Sequence, residues 1–152
     1  MIRKAEINDI PLIIDLLTQV VNIHADLRED LFTHDKTKYN ENDLLNILDN
    51  ERTPIFVYDE DGVKGYIFLV IEDEDNSNLN YHKTLYIDDL CVDDAYRNQN
   101  IGKKLMEYAE EYAKGIDCEY ITLNVWDGND SAYQFYEKMG YQTRKIYMEK
   151  KI

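Results

Sequence analysis

The stretch 88–103 constrains what this chain can fold into more than any other part of the sequence. The residues around 88–92 predict a buried strand, and Gly102 marks a turn at the start of a long amphipathic helix. The turn comprises Arg97, Asn98, Gln99, Asn100, Ile101, Gly102 and Lys103. The first N–H groups of a helix have no partner within the helix, so such a turn aims several of them at one point. The sequence therefore predicts an anion site that suits a phosphate group.

Positive charge gathers at the same turn, where Lys103 and Lys104 follow Arg97. Lysine at a helix N-terminus is mildly unfavourable with the helix dipole, and a bound anion reverses the sign of that cost. Three cations and several N–H donors together suit a pyrophosphate. The alternative interpretation is three ordinary surface cations.

Length and charge limit the classes of protein to consider. The 152 residues are enough for one domain with one sizeable core, so we expect a single domain, 1–152. The formal net charge of −14 disfavours nucleic acid as a partner, because its phosphates require a basic surface. Cationic partners are favoured instead, although acidic loops such as 72–75 also serve solubility.

Neither a metal site nor a membrane segment is expected. His24, His34 and His82 stand singly in the sequence, and Cys91 and Cys118 fall inside predicted strands as reduced, packed thiols. We find no apolar run close to the roughly 20 residues that span a bilayer, and no signal peptide. A cytoplasmic protein is the expectation.

Apolar periodicity and turn residues predict the element order βα(α)ββ–β–α–β–α–β–β. This is an α/β fold with a central mixed sheet of six to seven strands and helices on both faces. The predicted elements are a strand at 2–6, helices at 9–23 and 41–50, a hairpin of 55–58 with 63–71, a loop at 72–82, a strand at 83–93, a helix at 101–114, a strand at 120–126, a helix at 129–140, and a final hairpin at 141–152.

Two motifs resemble those of the GCN5-related N-acetyltransferase (GNAT) family, whose members typically show R/Q-x-x-G-x-G/A followed by N-x-x-A-x-x-F-Y-x-x-x-G-F/Y. Residues 129–141 match the second pattern throughout, from Asn129 to Tyr141. Residues 97–102 match the first except that Asn100 replaces a glycine. Asparagine tolerates left-handed backbone better than other non-glycine residues, so we expect the turn to form.

The resemblance implies an acyl-CoA N-acyltransferase fold with acetyl-CoA as cosubstrate. It places the cofactor along the strand at Leu90, Cys91 and Val92, which splays from the next strand, and at the 97–103 turn. It also implies that Asn129 contacts the cofactor, although an asparagine there can equally cap a helix. Acceptor contacts in such families come from the early helix–loop–helix region, which here includes Phe32 and Tyr39.

Tyr136 has two interpretations. Its spacing from Ala132, Phe135 and Met139 places it on an apolar helix face, which indicates packing. A phenol with an ordinary pKa of about 10 is also protonated at neutral pH and can protonate a departing thiolate whose pKa is about 8.5. The resemblance implies this second role, general acid, for the tyrosine of the motif.

Asp88 and Asp89 are the candidates to take the proton of an amine acceptor, directly or through water. Two adjacent acids in an apolar strand are costly unless they face water or a partner, and strand alternation separates them unless a bulge intervenes. Asp88 is preferred, because some polyamine acetyltransferases of the family carry an acid nine residues before the arginine. Two alternatives remain open: Asp89 is the base, or both acids have a structural role. Covalent catalysis through Cys91 also remains open.

The sequence thus predicts an acetyl-CoA-dependent N-acetyltransferase that acts on a primary amine by direct transfer. A small cationic amine is slightly favoured over the amine of a protein. A non-catalytic acyl-CoA-binding sensor or interaction module on the same fold is the rival. Thirteen tyrosines, among them Tyr141 and Tyr147, also suit an interface, so a homodimer is expected.

Overall fold

A computed structural model describes residues 1–75 and 78–152 of the chain. The predicted loop 72–82 includes Asn76 and Ser77, which lie outside the described residues. Two short 3₁₀ turns, Ile7–Asp9 and Asp94–Tyr96, precede helices. The described strands and helices are β1 Ile2–Lys4, α1 Ile10–Leu27, α2 Glu41–Leu48, β2 Ile55–Asp59, β3 Val63–Glu74, β4 His82–Val92, α3 Ile101–Gly115, β5 Tyr120–Leu123 and α4 Asp130–Lys138.

The sheet is mixed, as predicted, with the strand order β1-β2-β3-β4-β5. Neighbouring strands are antiparallel except for β4 and β5, which are parallel. Helices cover both faces. On one face α1 and α2 bury Ile13, Leu17 and Leu44, and on the other α3 buries Leu105 and Met106. The predicted α/β fold is confirmed.

The predicted count of six to seven strands is wrong for the described residues, which form five. The missing strands are those of the hairpin expected at 141–152, a segment without regular secondary structure that is exposed beyond Tyr141. A tight hairpin needs residues that accept the backbone angles of a turn, chiefly Gly, Asn, Asp or Pro. Residues 142–152 contain none of these, so apolar residues such as Ile146 and Tyr147 remain in solvent.

Helix α1 buries an apolar stripe on the sheet. The segment Ile7–Leu27 is long and apolar enough to cross a membrane by length and composition alone, a test that core helices of soluble proteins also pass. Ile13, Leu16, Leu17 and Val21 repeat at helical spacing and are buried against the sheet. The apolar character of α1 is therefore accounted for by packing within the domain.

The pairing of β4 with β5 stops halfway along β4. They pair from Thr84 with Tyr120 to Ile87 with Leu123, and β5 ends there. The sequence predicted a strand to residue 126, three residues too long. Since β4 continues to Val92, residues 88–92 have no strand beside them on this side. The end of pairing leaves a gap in the sheet beside residues 88–92, called the cleft below, and Gly102 of α3 and Phe135 of α4 lie next to it at Val92.

Candidate active site

A bulge in β4 brings the two adjacent acids to the same face of the sheet. Phe68 of β3 pairs with Asp89 and the next residue, Leu69, pairs with Ile87, which leaves Asp88 as the extra residue. Regular alternation would direct neighbouring side chains to opposite faces, and one inserted residue removes this requirement. Both carboxylates therefore meet side chains on the α1 and α2 side of the sheet.

Asp88 lies between two groups from the α1–α2 loop. Tyr39 donates its hydroxyl to Asp88 Oδ2 at 2.6 Å, and Lys38 Nζ donates to Asp88 Oδ1 at 2.9 Å. The Asp88 side chain is only 14% exposed, whereas that of Lys38 is 47% exposed. Both carboxylate oxygens are thus engaged at the edge of solvent. The sequence named Tyr39 as an acceptor contact, and its bond to Asp88 places it at this site.

Asp89 lies deeper, where the buried Tyr66 donates its hydroxyl to Asp89 Oδ2 at 2.7 Å. The backbone N–H of Leu90 donates to Asp89 Oδ1 at 3.0 Å. Burial raises the pKa of Asp89 to about 6, and its hydrogen bonds and the ammonium of Lys38 only partly offset this effect. Asp89 is therefore a carboxylate that takes and releases a proton close to neutral pH.

Tyr136 belongs to α4 and lies within electrostatic reach of Asp89. Burial, followed by the negative charge of Asp89, raises the pKa of Tyr136 to about 12, so its phenol is protonated at every physiological pH. The ring packs edge-on against Phe135 at 5.2 Å and Tyr141 at 6.0 Å between centroids. No group in the described part of the chain hydrogen-bonds its hydroxyl oxygen. The hydroxyl is held by packing and is free to bond a ligand.

The turn before α3 forms with the geometry that its residues allow. Asn98 and Asn100 both adopt left-handed backbone, with φ of 65° and 61°, so the asparagine that departs from the motif takes the conformation a glycine would. Within residues 1–75 and 78–152, no group accepts a hydrogen bond from the backbone N–H groups of 99–103. The N–H groups of 101–103 stand in the first turn of a 15-residue helix, the end that favours an anion.

Only two of the three cations predicted for the turn lie where they can contact an anion bound there. Arg97 pairs with Asp94 at 2.6 Å and is about half exposed, and its Nε reaches the carbonyl of Val92. Lys103 is exposed and only 3.8 Å from Glu107, a loose pair. Lys104 instead lies over the ring of Tyr58, on the β1–β2 side. Arg97 and Lys103 are thus the cations available to an anion at this turn.

Gly102 lines the cleft between α3, β4 and α4. A Cβ atom on Gly102 would lie 3.5 Å from Phe135 and 3.7 Å from Val92, in ordinary van der Waals contact, so Gly102 stands where α3, β4 and α4 meet. Leu90 and Val92 border the same cleft and pack partly against the α3 core. Cys91 points the other way, with its Sγ 3.5 Å from the carbonyl of Leu16, and burial raises its pKa far above the ordinary value. A protonated thiol facing α1 is not placed for nucleophilic attack in the cleft.

Asn129 caps α4. Its side-chain oxygen accepts from the N–H of Ala132 at 3.4 Å and from the hydroxyl of Ser131 at 3.4 Å. The capping role that the sequence left open is therefore present in the structure, and a contact with the cofactor remains a prediction. No group of three or more His, Cys, Asp or Glu side chains able to hold a metal occurs in the described part of the chain.

Sequence reasoning missed Lys38 and Tyr66. Tyr66 lies within the apolar run of β3, where the pattern indicates only a core residue. It nevertheless supplies the hydroxyl that donates to Asp89. Lys38 stands in a polar loop, and nothing in its neighbourhood indicated a partner fifty residues away. Only its position next to Tyr39 could have drawn attention to it.

Comparison with known proteins gives the family of this chain. The acetyltransferase (GNAT) family model matches residues 17–141. The chain belongs to the GNAT family, whose enzymes are acyltransferases that use acetyl-CoA as cosubstrate. The resemblance stated from the two motifs is confirmed.

Named relatives act on amines. The chain is 27% identical over 99 residues to glucosamine 6-phosphate N-acetyltransferase of Arabidopsis thaliana. This match covers 56% of the chain and 64% of the relative. It is 26% identical over 93 residues to spermine/spermidine N(1)-acetyltransferase of Bacillus subtilis, covering 59% of each. These matches thus span less than two thirds of either relative.

A solved structure matches the whole chain. The BH1408 protein from Bacillus halodurans, crystallised as a mutant, superposes with a TM-score of 0.95 at 28% identity. The alignment covers 100% of this chain and 99% of that protein. The extended C-terminal segment therefore lies within a region of close structural similarity.

Proposed function

We propose that this protein is a single-domain N-acetyltransferase, residues 1–152, that transfers acetyl directly from acetyl-CoA to a primary amine. The observation that carries the proposal is the cleft itself, which joins an N–H-lined turn at one end to a pair of carboxylates at the other. A small cationic amine is favoured over a protein amine, because the two carboxylates belong to a chain of net charge −14, which attracts cations.

The residues of the cleft fit acetyl-CoA. The N–H groups of 99–103, with Arg97 and Lys103, would hold its pyrophosphate, and the unpaired edge of β4 at Leu90–Val92 would hold its extended arm. Asn129 would contact it from the start of α4. When bound, acetyl-CoA supplies an acetyl group activated as a thioester. Gly102 adds no side chain at the point where α3, β4 and α4 meet, beside this arm.

The two acids divide the work on the acceptor. An alkylamine with a pKa of about 10 arrives protonated, and it must lose a proton before it can attack. Asp89, with a pKa of about 6, is the better tuned acceptor of that proton, directly or through water. Asp88, which the sequence favoured as base, already binds an ammonium and a phenol, so it suits the task of holding the amine in place.

Tyr136 holds the proton that the leaving thiolate sulfur requires. Its raised pKa keeps the hydroxyl protonated until transfer. The burial that disfavours the phenolate also disfavours a thiolate in the same cleft, so both pKa values rise together. Proton transfer from Tyr136 Oη to sulfur is therefore not penalised by the full rise in the phenol pKa.

Calorimetric titration of acetyl-CoA, with NAD and ATP as controls, tests the cofactor. We expect binding of acetyl-CoA alone, and its loss in Gly102→Glu, which places a charged side chain in the cleft. Gly115→Glu is the matched control, because it adds the same charge at the exposed far end of α3, where a Cβ meets nothing within 4 Å. Equal binding by both variants would contradict the placement of the cofactor.

The rival function is acyl-CoA binding without catalysis, as a sensor or interaction module. Turnover of acetyl-CoA with a panel of primary amines decides between the two, and Tyr136→Phe tests the acid within the first. A protein that binds acetyl-CoA but acetylates no amine in a broad panel would favour the rival.

A homodimer in the cytoplasm completes the proposal, supported by the C-terminal segment. Residues 142–152 expose Ile146, Tyr147 and Met148 at 79%, 96% and 85%. The same segment carries four cations and one carboxylate in a chain of net charge −14, so it complements the acidic surface of a second copy. The open edge of β5 offers backbone groups to pair with.

A further inference from the structure

An alkylammonium group already occupies the acidic end of the cleft. Lys38 Nζ donates to Asp88 Oδ1 at 2.9 Å and lies 3.3 Å from the main-chain carbonyl oxygen of the same residue. It also stands 5.5 Å from the centre of the Tyr39 ring. A carboxylate, a carbonyl and an aromatic face are the three kinds of group that recognise a primary ammonium.

The groups around this ammonium are fixed, while the lysine itself is not. Tyr39 stacks on Phe68 at 5.7 Å, nearly parallel, and its hydroxyl is bonded to Asp88. Asp88 is 14% exposed and belongs to a paired strand, whereas the Lys38 side chain is 47% exposed and leaves from a loop. Lys38 can therefore withdraw into solvent without disturbing the residues that it contacts.

The charge balance of the site also requires a cation there. Asp88 and Asp89 are adjacent and face the same side, so the charge of Asp88 disfavours the ionised form of Asp89, and the ammonium of Lys38 opposes this effect. An acceptor ammonium bound at Asp88 would supply the same positive charge. Exchange of one for the other leaves the electrostatics of the acids unchanged.

We propose that Lys38 occupies the position of the acceptor's ammonium and must leave Asp88 before a primary amine binds, so that it sets the affinity for the acceptor. This inference rests on the proposed function, because it names the acceptor end of the same cleft and its ligand class, primary alkylammonium. An ion pair with one exposed partner is weak, so the occupied form outweighs the open one by only about fourfold. About one molecule in five then leaves Asp88 open, so the apparent affinity for the acceptor is lowered about fivefold.

Calorimetric titration of 1,3-diaminopropane into the wild type and three variants tests the competition. Lys38→Met should bind the diamine about fivefold more tightly than the wild type. Lys36→Met is the matched control, because it removes the same charge from an exposed position in the same loop, and its affinity should stay unchanged. Lys38→Arg keeps a cation opposite Asp88 and should not gain affinity. The uncharged 1,3-propanediol should bind none of the four proteins.

Steady-state kinetics separates this inference from the proposed function. In Lys38→Met the KM for an amine acceptor should fall about fivefold, because the competition for Asp88 has been removed. If the wild type acetylates amines and Lys38→Met binds the diamine no better, the inference is overturned and the function stands. If neither protein binds the diamine, the inference is overturned as well. If binding tightens but no amine is acetylated, competition at Asp88 holds and the proposed reaction fails.

Discussion

Asp89→Asn should make the protein more stable at neutral pH while it impairs catalysis. In the folded protein the pKa of Asp89 is raised from 3.8 to about 6 by burial, which means that folding opposes its ionisation. The difference is about two pH units, and each is worth about 1.36 kcal/mol, so the buried charge lowers the free energy of unfolding by ~3 kcal/mol at pH 7.5. Asparagine removes that cost and keeps one oxygen, which can accept from the N–H of Leu90, while its amide NH2 can donate to the hydroxyl oxygen of Tyr66.

The sign of the pH dependence follows from the same two values. Because the folded protein binds this proton more tightly, the wild type gains stability relative to the variant as pH falls through 6, and the gain is complete below about 4. Urea denaturation of both proteins at pH 7.5 and pH 4.5 measures the difference. The variant should be more stable by ~3 kcal/mol at pH 7.5 and by only ~1 kcal/mol at pH 4.5, because part of the effect persists until the pH falls below the ordinary pKa of 3.8.

Asp88→Asn is the matched control for this experiment. Its carboxylate is paired with Lys38 and Tyr39, so removal of that charge leaves an ammonium without its partner and should not stabilise the protein. An Asp89→Asn variant that is less stable at pH 7.5, or a difference that does not change with pH, would refute the assignment of a costly buried charge.

Three further predictions concern catalysis and assembly. Tyr136→Phe should lower kcat by roughly 10²-fold and leave calorimetric binding of acetyl-CoA unchanged, since only the proton donor is lost; an undiminished kcat would remove the acid assignment. The pH profile of kcat/KM should fall below about pH 6 as Asp89 takes up its proton, and a rate that is flat from pH 5 to 8 would argue against this base. Ile146→Asp should convert a dimer into a monomer in light scattering coupled to gel filtration, whereas a wild type that is already monomeric at micromolar concentration would exclude the dimer.

Elements that depend on neighbouring residues could be predicted from the sequence. Helix α3 was predicted at 101–114 and spans Ile101–Gly115, because its apolar spacing and its turn are properties of neighbouring residues. The turn geometry also followed from residue type, since Asn98 and Asn100 both tolerate positive φ. The candidate cofactor residues were all within reach of such reasoning.

The acidic end of the cleft depends on the pairing of distant residues, and sequence could not supply it. Whether Asp88 and Asp89 share a face is decided by the register of β4 against Phe68 and Leu69, which leave one residue of β4 without an opposite. The end of β5 at Leu123 likewise depends on where its pairing with β4 stops. Lys38 reaches Asp88 across fifty residues of sequence, a contact that only the folded loop creates.

The bulge has a consequence for how this enzyme can change its substrate. A bulged residue adds nothing to the strand ladder, so the sheet keeps its hydrogen bonds whichever side chain occupies position 88, and even if the residue is deleted. Asp88, which we propose holds the acceptor, is thus independent of the hydrogen bonds that hold the sheet together. Substitution at this one position can exchange one acceptor chemistry for another at little risk to the fold.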